Sequence, residues 1–382
     1  MRLPLPLQVA RATLSLALVS LGALGPPGGG PLALLAARAE DAHHVARLVV
    51  ADPSANRVMV LDAESGAPLA SFDTPGAVTN LVASPGGRWV YALQTQANAL
   101  SIVDTGLHRE DHGDHQDLEV NDPSMRGMVT PGQKPIDFWA GNGLATVHND
   151  DDATLAIFDE ETLEDSLEFA TLKGAGTGHN NAVVLGDVVL LSLVSEGKIT
   201  AYDRATGVAH TTFDGCPGAH GWTTRGISFA AVGCTDGVML FTKNGSNVQA
   251  RKVEEPLLSP GTARVSTLQT HRTNPMLVGN FGQGLAMLTA DSQAIAPMPL
   301  PANPLRFHFT PDGTQVIVLT ADGKVHGVDP AGGTVRWSTD AVGPAARVRR
   351  WRSARSTHSC RTRPPAGSSG STWRRARWRA VS

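Results

Sequence analysis

Along the body of the chain, apolar and polar side chains alternate in short runs that end at a polar turn and begin again. "ANRVMVLDAESGAPLASFDTPG", "ANALSIVDTG", "DATLAIFDEETLEDSLEFATLKG", "EGKITAYDRATGVAHTTFDG", "DGVMLFTKNG", "GQGLAMLTADSQ" and "DGKVHGVDPAGGTVRW" repeat one plan: turn, alternating strand closed by Asp or Thr, polar turn, second strand. The closing residue falls at 62, 104, 159, 203, 242, 289 and 329, so the spacings are 42, 55, 44, 39, 47 and 40 residues. A repeat near 40 residues with several strands per unit predicts the blades of an all-β propeller. The apolar period is two rather than 3.6, which excludes a helical solenoid. Between the units, "NLVASPGGRWVYAL" and "LRFHFTPDGTQVIVLT" read as hairpins of inner strands joined by tight turns at Pro-Gly and Asp-Gly. Seven units are readable. The first begins at "ARLVVAD", a second strand with no innermost strand before it, so the missing strand is expected from the C-terminal side. This predicts an eight-bladed design with seven blades readable, its closing blade scrambled and its ring left open.

The two ends break the pattern. Arg2 and Arg11 precede the apolar run "TLSLALVSLGALG", which is too short to span a bilayer and stops at "GPPGGG". With Ala37 and Ala39 ahead of Glu40, residues 1–39 read as a signal peptide and the mature chain as exported. Residues 40–47 then form a flexible start, and 48–340 form the propeller. From 341 to 382 there are eleven arginines, no acidic residue and three of the seven tryptophans, with no strand or helix period. A basic tail for nucleic acid and a shifted reading frame in a GC-rich gene would both give this composition; the second is preferred, and no function is built on the tail.

With both ends set aside, the body holds 18 basic and 35 acidic side chains, about −17. Such a field attracts cations and disfavours nucleic acid. Candidate ligands for a cation follow from the repeat. "GHNNAVVL" and "AHGWTT" open innermost strands in adjacent units, so His179 and His220 are expected at equivalent positions beside the central channel. The second strand of the preceding unit ends in "ATVHNDDD", which brings His148 to the same face, with Asp150 as an acceptor able to orient an imidazole. The 55-residue unit has an excess that contains "HREDHGDHQD". Taken as part of the connection into the next innermost strand near Pro135, this loop is expected to fold over the same channel mouth and to add His112, His115 and Asp117. Imidazoles with a carboxylate suit Zn²⁺, usually four in a tetrahedron.

The remaining histidines read differently. His271 falls at a turn on the opposite face and His308 lies within an inner strand, both structural; His210 and His326 lie on outer strands and read as solvent-facing. Cys216 and Cys234 sit at one end of a hairpin. In an oxidising compartment they are expected to form a disulfide that pins the segment before His220, thiolate zinc ligands being the alternative. Asp41, His43 and His44 in "EDAHHVARL" form a possible second, looser zinc site.

An exported propeller carrying "EDHGDHQDLEV", "GHNNAVV" and "CPGAHG" resembles the AztD family of periplasmic zinc metallochaperones from about residue 43 to 340. The resemblance implies an eight-bladed propeller that binds zinc and passes it to a periplasmic solute-binding protein, AztC, of an ABC transporter. It also implies a His-rich N-terminal transfer segment, matched here only by Asp41, His43 and His44. The alternative from the residues alone is a metal-dependent hydrolase of lactonase type, with three protein ligands, a water and a base such as Asp114 or Glu110. A scaffold whose histidines merely satisfy backbone groups is a third reading. No nucleophile motif or phosphate loop supports an enzyme.

Overall fold

The computed structural model describes residues 45–111, 116–255 and 264–341. They form an all-β propeller of seven antiparallel sheets, one for each unit of the repeat. Six sheets have four strands. The first has three, Arg47–Asp52, Arg57–Asp62 and Pro68–Asp73, so it lacks the innermost strand that its sequence lacks. Third strands end at Asp62, Asp104, Asp159, Asp203 and Asp329, where the repeat places its closing residues. Helix is confined to one 3₁₀ turn at Thr95–Ala97 among the described residues, and no helix there is long and apolar enough to cross a membrane.

The alternation in the sequence becomes two apolar faces per sheet. In the fourth sheet, Val183 and Leu185 of the innermost strand, with Val188 and Leu190 of the second, face the fifth sheet around Ala230, Val232 and Phe241. Their neighbours Ala182, Val184, Val189 and Leu191 face the third sheet around Leu144, Leu155 and Ile157. Side chains at i and i+2 share a face of a strand, which is why a sheet covered on both sides needs apolar residues at nearly every position. Six buried clusters repeat this arrangement, one at each junction from the first and second sheets to the sixth and seventh.

Among the described residues, no such cluster joins the seventh sheet to the first. Ile317, Leu319 and Trp337 lie on the face of the seventh sheet turned away from the sixth, and Trp337 is 41% exposed. Leu48, Val50, Met59 and Leu61 lie on the outward face of the first sheet, and all four are only partly buried. These two faces are the apolar sheet faces that no junction cluster covers among the described residues. Residues 342–382, where the sequence places the expected closing blade, lie outside the described residues, as do residues 1–39, expected to be a signal peptide, and residues 40–44 of the expected flexible start at 40–47.

One expectation is corrected here. The stretch "HREDHGDHQD" does not belong to the connection into the next innermost strand. Leu107–Asp111 and Gln116–Val120 form a separate two-stranded hairpin, and the chain then returns as Ser124–Val129 to pair with Ala99–Asp104 as the outermost strand of the second sheet. The hairpin therefore starts where the third strand ends. At its other end that strand begins beside Asn98, whose side chain bonds Gln133 and accepts from the Lys134 amide, next to Pro135. Five residue steps separate the ends, roughly 16 Å at strand rise. The hairpin is thus rooted at the end of the sheet away from His148, its base tied by Arg47 donating to the Asn121 carbonyl at 2.6 Å and by Arg88 bound to Asp104 and Glu164.

Candidate metal centre

Innermost strands neighbour one another in chain order, so the residues that open them gather at one end of the channel. His179 lies two residues ahead of Asn181–Leu185 in the fourth sheet, and His220 is the first residue of His220–Arg225 in the fifth. Their rings stack with centroids 5.5 Å apart, as equivalent positions in adjacent blades predict. From the third sheet the partner is Asp137, two residues into Pro135–Gly141, with its carboxylate Oδ2 3.1 Å from His179 Nδ1.

Local backbone geometry aims these side chains. The pairing of Pro135–Gly141 with its neighbour slips between Pro135 and Asp137, and that of His220–Arg225 slips between His220 and Thr223. An extra residue of this kind bends a strand and turns a side chain out of the regular pleat. Gly221 follows His220 with φ +74°, and a β-carbon there would collide with the Ser266 carbonyl. The same carbonyl accepts a hydrogen bond from His220 Nδ1 at 2.9 Å. Burial, the larger influence, holds the His220 pKa below its ordinary value. A ring nitrogen that donates to a backbone oxygen leaves the other nitrogen its lone pair, the arrangement of a metal-binding histidine oriented by its surroundings.

Asp137 is an uncommon carboxylate. Oδ2 is buried and accepts no well-aligned hydrogen bond, although the His179 ring nitrogen faces it. Burial pushes its pKa up to about 6; the field of His220 opposes the rise and that of Asp150 adds to it. A buried, unsatisfied carboxylate oxygen costs about 1–3 kcal/mol, a debt that a cation or a proton would cancel. A neutral imidazole with a free Nε2, a half-exposed imidazole and an orphaned carboxylate oxygen are donors of the kind zinc takes. Among the described residues, however, no three His, Cys, Asp or Glu side chains are drawn together tightly enough to hold an ion as they stand.

His148 reaches this end of the channel, as the repeat predicts. It is fully buried, Nδ1 lies 3.1 Å from Asp150 Oδ1, and Nε2 lies 3.1 Å from the Gly176 carbonyl and 3.3 Å from that of Ala175. His148 thus stands against the loop ahead of His179, with a carboxylate oxygen beside one ring nitrogen and backbone carbonyls beside the other. Asp150 Oδ1 faces that imidazole, as expected of an orienting acceptor, and Lys134 stands 3.8 Å from Asp150. His326 is also corrected: it is buried between Thr320 and Ser338 because it pairs with Val318, on the face turned to the sixth sheet. His210 is exposed, and His271 is engaged by Pro311 and Thr273 in a structural role.

Cys216 and Cys234 form the expected disulfide, buried in the cluster between the fourth and fifth sheets and four residues ahead of His220. His112, His115, Asp41, His43 and His44 lie outside the described residues; Asp117 is exposed on the hairpin. Asp137 was missed by sequence reasoning. Its signal was its place, a carboxylate near the start of an innermost strand, the position that singled out His179 and His220.

No protein-family model matches the chain. The curated zinc chaperone AztD from Citrobacter koseri is 26% identical over 339 residues, covering 85% of this chain and 79% of the relative. A crystal structure of Citrobacter koseri AztD superposes with a TM-score of 0.73 at 25% identity, covering 80% of this chain and 84% of that one. The apo form of AztD from the same organism gives 0.71 at 24% identity, covering 79% and 84%. A 6-phosphogluconolactonase homologue from Bacteroides uniformis gives 0.53 at 17% identity over 78% of this chain and 95% of that one, a likeness of fold alone. The curated relative is a chaperone by name, in line with a binding protein rather than an enzyme. Over most of its length, in sequence and in propeller fold, this chain is similar to the zinc chaperone AztD.

Proposed function

We propose that the chain is an exported zinc metallochaperone that holds Zn²⁺ at the channel end where His179 and His220 meet. The observation that carries the reading is the pair of imidazoles from adjacent blades, 5.5 Å apart, one of them with Nδ1 tied to a carbonyl and Nε2 free. The likeness to AztD supports zinc as the cation, and the acidic body supports capture of a cation from dilute solution. The likeness also supports periplasmic location and delivery to an AztC-like solute-binding protein of an ABC transporter.

Exposure of His179 suits hand-over, since a donor at the solvent edge is the one that an incoming ligand displaces first. Asp41, His43 and His44 are proposed as the transfer segment. His112, His115 and Asp117, from the histidine-rich stretch, are proposed as zinc-binding side chains as well.

The test is competition for zinc against a chromophoric chelator. His220→Ala is expected to weaken binding about 100-fold or more, and His210→Ala, on an exposed outer strand, to leave it within about threefold. Equal losses, or no retained zinc in the unaltered protein, would refute the reading. The hydrolase alternative requires turnover of a lactone or ester that depends on zinc.

A further inference from the structure

Lys134, the residue before the innermost strand Pro135–Gly141, holds a backbone conformation that lysine seldom takes, with φ +56°. Its neighbours fix it there. Its amide donates to Asn98 Oδ1 of the second sheet at 2.7 Å, and the Asn98 side chain donates in turn to Gln133 Oε1 at 2.8 Å. The Gln133 amide donates to Asp152 Oδ2 at 2.9 Å, and the Asp150 amide donates to the Lys134 carbonyl at 3.1 Å. Glycine would take this φ without strain, so what lysine adds at the position is its side chain. That side chain reaches a pair of carboxylates, with Nζ 3.3 Å from Asp151 Oδ1 and 3.8 Å from Asp150 Oδ2.

Asp150 ties this ammonium to the channel end. Its side chain is only 4% exposed, its Oδ1 lies 3.1 Å from His148 Nδ1, and its carbonyl accepts from the Gly178 amide, one residue ahead of His179. Its field also reaches Asp137, whose pKa is held up first by burial and further by Asp150. Resting on the zinc reading above, we infer that Lys134 sets the strength of zinc binding at the channel end, its ammonium offsetting Asp150 and holding the affinity down to a level that allows hand-over. The sign follows from Coulomb's law. A nearly buried carboxylate beside the site attracts a divalent cation, and a fixed ammonium beside that carboxylate cancels much of the attraction. A unit charge roughly 10 Å from a divalent ion, at an effective dielectric of about 50, changes its binding about tenfold. Lys134 is about half exposed, so added salt screens its effect. A lysine that merely propped the acidic turn would have the opposite sign, because its loss would loosen the loop at His179 and weaken binding.

The experiment uses the full chain and Zn²⁺ alone, in chelator competition at low and high salt. Lys134→Gln is expected to tighten zinc binding about tenfold in roughly 50 mM salt and by less than about threefold in roughly 1 M salt, where charges are screened within about 3 Å. Zinc release to excess chelator should slow by a similar factor. Lys134→Arg keeps the charge and is expected to bind within about threefold of the unaltered protein. Lys134→Gly removes the charge and the backbone strain together; it should tighten binding as Lys134→Gln does and melt at or above the unaltered protein, which separates the charge from the fold. Unchanged or weaker binding in both Lys134→Gln and Lys134→Gly, or equal tightening in Lys134→Arg, overturns the role of Lys134 and leaves the zinc reading standing where the unaltered protein holds zinc. Failure of the unaltered protein to bind zinc overturns both.

Discussion

The disulfide between Cys216 and Cys234 offers a perturbation whose size follows from the chain itself. The bond closes a loop of 18 residues, and removing such a closure from the unfolded chain's constraints costs about 3 kcal/mol in the loop-entropy description. Both sulfurs lie in the buried cluster between the fourth and fifth sheets, so the double variant Cys216→Ala, Cys234→Ala also gives up packing there. For about 300 ordered residues the unfolding entropy is roughly 0.6 kcal/mol/K, and 3 kcal/mol becomes a fall in Tm of about 5 °C. Differential scanning calorimetry of the metal-free protein measures it, with reductant on the unaltered chain as the parallel arm. Zinc affinity should fall by less than about tenfold, because His220 is also held by the Ser266 carbonyl and by the turn at Gly221. A Tm within 1 °C of the unaltered protein would refute the argument, since it would mean that closing this loop removes little freedom from the unfolded chain.

Further outcomes follow from other parts of the molecule. Burial raises the Glu160 pKa to about 7 from 4.5, against a hydrogen bond donated by Tyr91 at 2.9 Å. The folded state then holds the extra proton, so this group's contribution is most favourable below about pH 4.5, declines as pH rises, and levels off above 7; Glu160→Gln should flatten that slope by up to roughly 3 kcal/mol in urea titrations at pH 5 and 8. Leu190→Ala, inside a closed junction, is expected to cost 2–5 kcal/mol, roughly, whereas Trp337→Ala on the uncovered face of the seventh sheet should cost about 1 kcal/mol or less; equal costs in chemical denaturation would mean that the seventh sheet is covered. Gly221→Ala should lose about 1 kcal/mol or more of stability and weaken zinc binding by displacing His220; a variant that binds zinc as tightly as the parent contradicts the role of that turn.

The fold was legible in the sequence because each blade writes its faces into a two-residue period and its turns into Gly, Asn and Asp. The missing innermost strand of the first sheet and the uncovered junction were readable for the same reason. At the site, what could be read was position: His179 and His220 open equivalent strands, and equivalence is enough to make them neighbours. What could not be read was partnership. The Ala175 and Gly176 carbonyls that face His148 Nε2 come from a loop whose path has no periodic signature. The histidine-rich stretch was assigned to the wrong connection because "SMRGMV" was not seen as an outermost strand; its Gly127 interrupts the alternation, and Leu167 packs into the space a side chain there would take. Asp137 was passed over because a single carboxylate amid "KPIDFWAG" reads as an ordinary strand residue until the slip after Pro135 is known.

The most direct test of the central claim is anomalous diffraction at the zinc edge from crystals of the zinc-loaded protein. The account predicts a peak at the channel end within bonding distance of His220 Nε2 and a His179 ring nitrogen. A fully occupied peak elsewhere, with those two side chains unmoved and empty between them, would contradict it.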